Sequence, residues 1–299
     1  MSAPYGTGEQ DTDGDDLRRT LLAGAPVTDS RQELAGIPTA VLTGGDGPPV
    51  VLLHGPGGFA AEWRQVIADL VADHRVVVPD LPGHGTSGTG NGELDAARAV
   101  RWLAGLIDAT CDQPPVVVGQ ALGGGIAIRY ACEHGDRLSV LVLVDTFGLA
   151  PLRPSPRTAV AVGGFLARPT IGSHTRLVRQ LTSDLEGLRQ RWGELAKPLE
   201  EYCVVRTRAT GARTAQNQLI RHLAATPVPP EDLARLTVPT HLIWGRHDRM
   251  VRLPVAERAS ARYGWPLHVL DGAGAAPYIE HPARFTAALR VALGHQTIS

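Results

Sequence analysis

The residues with the clearest chemical meaning run from Val116 to Gly125 and read VVVGQALGGG. An apolar run followed by Gly-x-x-x-Gly is typical of a strand that turns sharply into a helix, because small residues let the backbone approach itself closely. The middle residue of such a turn points into the site and is the place of a nucleophile in enzymes that form covalent intermediates. Here that residue is Ala121. Alanine cannot form an acyl-enzyme, so the turn lacks a nucleophile.

The rest of the chain must position this turn. Short apolar runs alternate with longer helical patterns, and strands that are apolar on both faces are typical of a parallel sheet covered by helices. We therefore predict an α/β fold with a doubly wound, mostly parallel sheet. Two antiparallel edge strands are predicted at Pro26–Ser30 and Pro38–Leu42. The predicted core strands lie in PPVVLLHG, RVVVPD, PPVVVGQ, LSVLVLVD, THLIWG and PLHVLD.

One long segment interrupts the alternation of strands and helices. Residues 149–236 show helical patterns and proline-rich breaks, which predicts a helical cap inserted into a core of residues 21–148 and 237–299. Such a cap would lie above the carboxyl ends of the strands, where open α/β sheets bind ligands. The polar and acidic residues 1–20 are predicted to form a disordered N-terminal tail.

Over roughly Pro26 to Gly294 the chain resembles the α/β-hydrolase fold superfamily. The motifs that carry the resemblance occur in the family's order, and they are LLHGPGG, DLPGHGTS, GQALGG, WGRHDRMV and DGAGAAPYIEHP. The resemblance implies a hydrolase of a small to medium ester, lactone or thioester. It also implies a nucleophile in the third motif, an acid in the fourth and a histidine base in the fifth. Here these positions hold Ala121, Asp248 and Ala275.

The resemblance further implies an oxyanion hole, which uses backbone N–H groups rather than side chains. Leu122 follows the nucleophile position and is one expected donor. The second donor is expected in the loop after His54, where Pro56 has no N–H, so Gly57, or alternatively Gly58, would have to serve. This part of the site would survive the loss of both catalytic side chains.

Composition limits the partners of the chain. The 29 basic and 30 acidic side chains give a net charge of −1, which argues against a nucleic-acid partner. No apolar run is long enough to span a membrane, and the polar N-terminus lacks a secretory signal, so we expect a cytoplasmic protein. Residues 149–230, which are most of the predicted cap, have a net charge of about +7, which suggests either a small-molecule ligand with an anionic group or an ordinary charged surface.

No metal or nucleotide cofactor is expected. The sequence contains neither H-x-x-x-H nor C-x-x-C, and it lacks a P-loop lysine. Aromatic side chains could line an apolar pocket or pack inside the cap and core. The candidates are Phe147, Trp192, Tyr202 and Tyr278.

Three accounts of the two alanines stay open at this point. The chain is either an inactivated hydrolase, a natural non-hydrolytic member of the superfamily, or a ligand receptor or interaction protein. In the second account the pocket binds a ligand or steers a cyclisation or rearrangement, with Asp145, Asp248, Tyr278 and the oxyanion amides as candidate groups. All three accounts predict that the chain does not carry out serine hydrolysis.

Overall fold

A computed structural model describes residues 12–294, which form an eight-stranded sheet with helices on both faces. The strand order is β1-β2-β4-β3-β5-β6-β7-β8. Strand β2 runs antiparallel to both of its neighbours, and all other neighbouring pairs are parallel. The strands are β1 (Thr28–Leu34), β2 (Ile37–Gly44), β3 (Pro49–Leu53), β4 (Arg75–Pro79), β5 (Val116–Gln120), β6 (Val140–Val144), β7 (Thr240–Gly245) and β8 (Leu267–Leu270). The predicted mostly parallel α/β fold is confirmed.

The helices divide into those that flank the sheet and those between β6 and β7. Flanking the sheet are α1 (Thr12–Leu22), α2 (Arg64–Leu70), α3 (Ala96–Thr110), α4 (Ala121–His134), α11 (Pro254–Tyr263), α12 (Pro277–Glu280) and α13 (Pro282–Ala292). Between β6 and β7 lie α5 (Pro156–Ala167), α6 (Ile171–Leu181), α7 (Leu185–Trp192), α8 (Ala196–Arg208), α9 (Ala212–Leu219) and α10 (Pro230–Leu233). We call α5 to α10 the inserted helices.

The central strands are apolar along their whole length because helices cover both faces of the sheet. All five residues of β3 and all five of β5 are buried. Successive side chains of a strand point to opposite faces. Accordingly, Val51 and Leu53 join the core on one face, whereas Val50 and Leu52 join the core on the other. The sheet is therefore packed between two hydrophobic cores, one on each face, which fix the positions of the strand ends.

Helix α1 corrects part of the tail prediction. Disorder was expected over residues 1–20, but Thr12–Leu22 is helical and Arg18 is only 3% exposed. The Arg18 guanidinium forms ion pairs with Asp29 at 2.7 Å and Asp80 at 2.8 Å. These partners come from distant parts of the chain, so the polar composition of the segment did not reveal them. The first eleven residues of the predicted tail lie outside the described residues.

Within residues 12–294, no helix combines the length and the apolar character that a membrane crossing requires.

Candidate functional site

The sharp turn at the end of β5 is built as its glycines predict. Ala121 is the first residue of α4 and has a φ of 43°, a left-handed conformation that is unusual for a residue with a Cβ. A Cβ on Gly119 would lie 2.6 Å from the Cα of Gly124, so glycine is required for strand and helix to meet. Ala121, at this turn, lines a cavity.

The loop that contains Ala275 is fixed through its backbone. The Ala275 carbonyl oxygen accepts a hydrogen bond from the Gln120 amide nitrogen at 2.6 Å, and the Ala275 N–H donates to the carbonyl oxygen of Leu181 at 2.8 Å. Glu280 further holds the loop by accepting from the Gly274 N–H at 2.8 Å. Because none of these bonds uses a side chain at position 275, the loop keeps its place with alanine there.

Asp248 lies in the loop after β7 and is buried. Its two carboxyl oxygens accept hydrogen bonds from the N–H groups of Met250 at 2.6 Å and Val251 at 3.1 Å. Burial raises the pKa of Asp248 to about 7, although the two N–H donors act in the opposite direction. The side chain is therefore well oriented, and near neutral pH it changes between the ionised and protonated forms.

Asp145 follows β6 and lies beside Asp248. It also has a left-handed backbone, with a φ of 43°. One carboxyl oxygen accepts from the Gly245 N–H at 3.0 Å. The carboxyl group also shares a side-chain hydrogen bond with Asp248. Burial and the neighbouring charge of Asp248 raise the pKa of Asp145 well above its ordinary value.

The loop after β3 leaves one free backbone donor near the turn. The N–H of Gly58 donates to the carbonyl oxygen of Gly55 at 3.2 Å, and Pro56 has no N–H. Gly57 adopts a φ of 73° and lines the cavity. The Leu122 side chain packs in the core, and its N–H belongs to the first turn of α4, which has no acceptor within the helix. Among the described residues, the N–H groups of the two expected oxyanion donors, Leu122 and Gly57, therefore have no backbone acceptor.

His54 precedes this loop and supports it. Its Nε2 accepts from the Leu81 N–H at 2.9 Å, and its Nδ1–H donates to the Gly55 carbonyl oxygen at 2.8 Å. Burial lowers the pKa of His54 to about 3. A neutral ring with both nitrogens occupied positions the backbone and is not free to exchange protons.

Glu62 is a polar residue of the site that sequence reasoning missed. It is partly buried, lines the cavity and accepts a hydrogen bond from the Tyr278 hydroxyl at 3.0 Å. Burial raises the pKa of Glu62 to about 7. Tyr278 is held in turn by stacking on Trp63 at 3.8 Å. The only signal in the sequence is one acidic residue within the apolar stretch FAAEW.

These residues surround one cavity of about 470 Å³ between the strand ends and the inserted helices. The structure brings Ala121, Ala275 and Asp248 to it, together with the predicted lining residues. Those that line it are Gly57, Phe147, Trp192 and Tyr278.

Tyr202 was also predicted to line a pocket, and this prediction is not met by the structure. Its ring packs edge-on against Phe59 at 4.5 Å, in a separate cluster under α1. The pattern of single aromatic residues in the inserted helices did not distinguish packing residues from cavity residues. Tyr202 therefore fastens α8 to the core.

The arginines of the inserted helices mostly avoid the cavity. Among them Arg189 lines it, and its guanidinium is paired with Glu200 at 2.7 Å. Arg208 instead donates to the carbonyl oxygen of Pro169 at an exposed position. The positive charge of this segment therefore lies largely on its outer surface.

Comparison with known proteins agrees with this geometry. The sequence model of the alpha/beta hydrolase family matches residues 50–288, which is most of the chain. This chain belongs to that family. The α/β-hydrolase fold accounts for the sharp turn after β5, the loop after β7 and the buried cavity above the sheet.

Several members of the family are similar over nearly the whole chain. A 2-hydroxy-6-oxo-6-(2'-aminophenyl)hexa-2,4-dienoic acid hydrolase of Metapseudomonas resinovorans is 29% identical, covering 84% of this chain and 85% of that protein. A pimeloyl-[acyl-carrier protein] methyl ester esterase of Aeromonas hydrophila is 28% identical, with 81% and 93% covered. Among solved structures, a meta-cleavage product hydrolase from Pseudomonas fluorescens, a serine-to-alanine mutant complexed with acetates, has a TM-score of 0.75 at 28% identity. That match covers 89% of this chain and 97% of the other.

Proposed function

We propose that this chain is an α/β-hydrolase-type protein that binds a small to medium carbonyl compound but lacks the side chains for serine hydrolysis. The observation that carries the proposal is that Ala121 and Ala275 line the same cavity as Asp248. Around both alanines the backbone keeps a strained turn and a hydrogen-bonded loop. The chain is thus a hydrolase framework that is inactivated at two positions, with α5 to α10 acting as its cap.

The ligand class follows from the walls of the cavity and from the relatives. Most of the lining side chains are apolar, and the N–H of Gly57 in the cavity wall offers a donor suited to a carbonyl oxygen. The N–H of Leu122, which follows the lining residue Ala121, is proposed as the second donor. The two similar enzymes are named for a dienoic acid and for a methyl ester, both of which contain a carbonyl group. An ester, lactone or thioester of moderate size therefore fits the proposal best.

An anionic group on the ligand has less support. The cavity wall contains three buried carboxyl side chains, those of Asp145, Asp248 and Glu280, besides the partly buried Glu62, and the lining arginine is already paired. Arg153 and Arg157, two of the arginines that gave the inserted helices their positive charge, do not line it. A carboxylate would meet mostly carboxyl groups there, which is electrostatically unfavourable.

The decisive experiment restores the two missing side chains. The double variant Ala121→Ser with Ala275→His is expected to hydrolyse p-nitrophenyl acetate and to react with a fluorophosphonate label, because Asp248 is already oriented to support a histidine. Serine alone is expected to gain little, since its hydroxyl stays protonated without a base. The two restorations should therefore be strongly non-additive. The original chain should remain near the residual rate that oxyanion contacts alone provide.

A matched control adds Asp248→Asn to the restored pair. Loss of the acid should lower the turnover number by roughly 10³- to 10⁴-fold, since the histidine loses its orienting partner. If the restored protein keeps its circular dichroism spectrum but neither labels nor hydrolyses any ester, lactone or thioester in a broad panel, the inactivated-hydrolase proposal is wrong.

A second candidate function is favoured by Glu62. A buried carboxyl group with a pKa near 7, hydrogen-bonded to the Tyr278 hydroxyl in the cavity wall, is suited to proton transfer without a covalent intermediate. In this account the pocket steers a rearrangement or cyclisation of the bound carbonyl compound. Failure of the restored triad in a folded protein would make this candidate the better one.

A further inference from the structure

We infer that the outer face of α5 docks onto a lipid surface that carries anionic headgroups. The inference goes beyond the proposed function and does not depend on it, because it concerns the exterior of the inserted helices rather than the chemistry of the cavity. It accounts for an apolar helix face that the described part of the chain leaves exposed.

The first argument is the composition of the exposed face of α5. A helix at a protein surface normally carries polar or charged side chains on its outer side. On α5 the inner side buries Thr158 and Phe165, but the outer side is apolar as well. Val160 is 76% exposed, more than any other large hydrophobic residue of the described chain. Residues at helical spacing form the exposed face, and they are Ala159, Val160, Gly163, Gly164 and Ala167.

The two glycines show that this face is open. A Cβ built on Gly163 or Gly164 would meet no other part of residues 12–294 within 4 Å, so no contact inside the described chain requires glycine there. Glycine in the middle of a helix is destabilising. Two such residues without an internal role keep the face smooth, which suits close contact with another surface.

The second argument is the charge around the face. Residues 149–183 contain five arginines and no acidic residue. Arg153 and Arg157 are exposed at the start of α5, and Arg168 is exposed at its end. The apolar face therefore has positive charge at both ends of the helix.

The fold brings two further arginines to the end of α5. Arg208 donates two hydrogen bonds to the carbonyl oxygen of Pro169, and Arg213 donates one to the carbonyl oxygen of Leu166, all at exposed positions. Within residues 12–294, none of the five arginines at the two ends of α5 forms an ion pair with an acidic side chain. Their charge is therefore free to meet an anionic partner.

An apolar helix face flanked by unpaired arginines matches a bilayer that contains anionic lipids. Helices of this kind lie in the plane of the membrane, with apolar side chains at the acyl chains and basic side chains at the phosphate groups. A second copy of this chain fits less well, because it would bring the unpaired arginines of both copies together. The face also lacks the aromatic side chains that are enriched in protein interfaces.

The position of α5 in the molecule agrees with a lipid surface. Its inner side lines the cavity through Val162, Phe165 and Leu166. A bilayer on the outer side would therefore lie one helix away from a largely apolar cavity.

Vesicle co-sedimentation of the full chain tests the inference. At low ionic strength, vesicles of phosphatidylcholine and phosphatidylglycerol in equal parts should bind the chain at least about tenfold more tightly than vesicles of phosphatidylcholine alone, since each arginine near an anionic surface contributes about fivefold. Binding should weaken as salt is added. Equal binding to the two kinds of vesicle, or binding to neither, would overturn the inference.

Two valine variants separate docking through α5 from binding elsewhere. Val160→Asp places a charge in the apolar face and should lower binding to the anionic vesicles at least about tenfold. Val291→Asp is the matched control, because it makes the same change of charge at a valine that is 42% exposed on α13, outside the inserted helices. The control should bind as the original chain does, and circular dichroism checks that both variants fold. If Val160→Asp binds as tightly as Val291→Asp, α5 is not the docking face.

Arginine variants test the charged part of the surface. Arg157→Gln with Arg168→Gln should lower binding to the anionic vesicles by roughly 10- to 30-fold. The matched pair is Arg137→Gln with Arg235→Gln, two exposed arginines that are paired with acidic side chains, and its effect should be much smaller. Equal effects of the two pairs would show that only the net charge of the chain matters, and would refute docking by this face.

Sedimentation velocity without vesicles tests the remaining occupant, a second copy of the chain. The original chain is expected to remain monomeric. A dimer that Val160→Asp dissociates would show that a second copy covers the face, and the lipid surface would be wrong. None of these measurements involves the restored catalytic side chains, so their failure would leave the proposed function intact.

Discussion

At the scale of single residues, the site is defined by carboxyl groups that the surrounding protein does not neutralise. Glu62, Asp145 and Asp248 line the cavity, and loss of solvent contact raises the pKa of each. In contrast, Asp80 is buried beside Arg18, and its pKa is lowered by that charge despite burial. The fold thus supplies a cation to the structural aspartate and none to the three carboxyl groups of the cavity. Such a difference is typical of functional rather than structural groups.

The raised pKa of Glu62 gives a prediction about stability. A carboxyl group whose pKa is higher in the folded state contributes its full stability below the unfolded value, here 4.5, and loses it as the pH rises through about 7. The ionisation of Glu62 should therefore lower the free energy of unfolding by about 3 kcal/mol between pH 5 and pH 8. Most of this decrease should be absent in the Glu62→Gln variant. Urea unfolding at both pH values measures this.

The control for this prediction is Glu231→Gln, which changes an exposed glutamate. It should leave the difference between the two pH values as in the original chain. In both variants, Asp145 and Asp248 still lower the free energy of unfolding as the pH rises, because the pKa of each is raised in the folded protein. A Glu62→Gln protein that loses as much stability between pH 5 and pH 8 as the original would show that Glu62 is not a buried titrating group.

At the scale of elements, α1 fastens the inserted helices to the core. It packs against α8, and the cluster that joins them contains Leu21, Phe59 and Tyr202. Burial opposes the charge of Arg18, yet Asp80 and Asp29 raise its pKa above the ordinary value. The ion pairs of Arg18 therefore hold α1 against the sheet, beside the loop after β4 that contains Asp80.

Removal of this arginine is expected to be costly. Arg18→Gln leaves Asp80 buried without its cation, which should destabilise the protein by about 3 kcal/mol. The control is Arg19→Gln on the same helix, whose exposed side chain pairs with the exposed Asp16 and should change stability by less than about 0.5 kcal/mol. Chemical denaturation measures both, and hydrogen exchange should show faster exchange in α1 and α8 for Arg18→Gln alone. Equal effects of the two variants would contradict this role of α1.

The elements that the sequence predicts correctly are those whose signal is local. Strand β5 and the turn at Ala121 are visible as an apolar run followed by glycines, and the close approach of Gly119 to Gly124 explains why. Helix α1 and the buried Glu62 were missed because their stability comes from partners far away in the chain, such as Asp80 and Tyr278. Composition alone therefore describes such segments as solvent-exposed.

At the scale of the whole molecule, the cavity depends on how the inserted helices meet the sheet. The end of α6 touches the loop of Ala275, where the Leu181 carbonyl oxygen accepts the Ala275 N–H and Glu280 accepts from Thr182 and Ser183. One wall of the cavity belongs to the inserted helices and the other to the strand ends. This junction therefore connects the position of the helices to the geometry beside Asp248.

Gly274 tests that junction, because it packs directly against the end of α6. A Cβ at this position would lie 2.1 Å from the Leu181 carbonyl oxygen, a backbone atom that moves only if the end of α6 moves. Gly274→Ala is therefore expected to destabilise the protein by about 2 kcal/mol and to speed hydrogen exchange at Leu181–Ser183. On the same helix, Gly172 has no atom within 4 Å of such a Cβ, so Gly172→Ala should be neutral or stabilise by up to about 1 kcal/mol. If Gly274→Ala is as stable as the original and leaves exchange in α6 unchanged, the inserted helices are not held by this contact, and the cavity wall is more adaptable than its hydrogen bonds indicate.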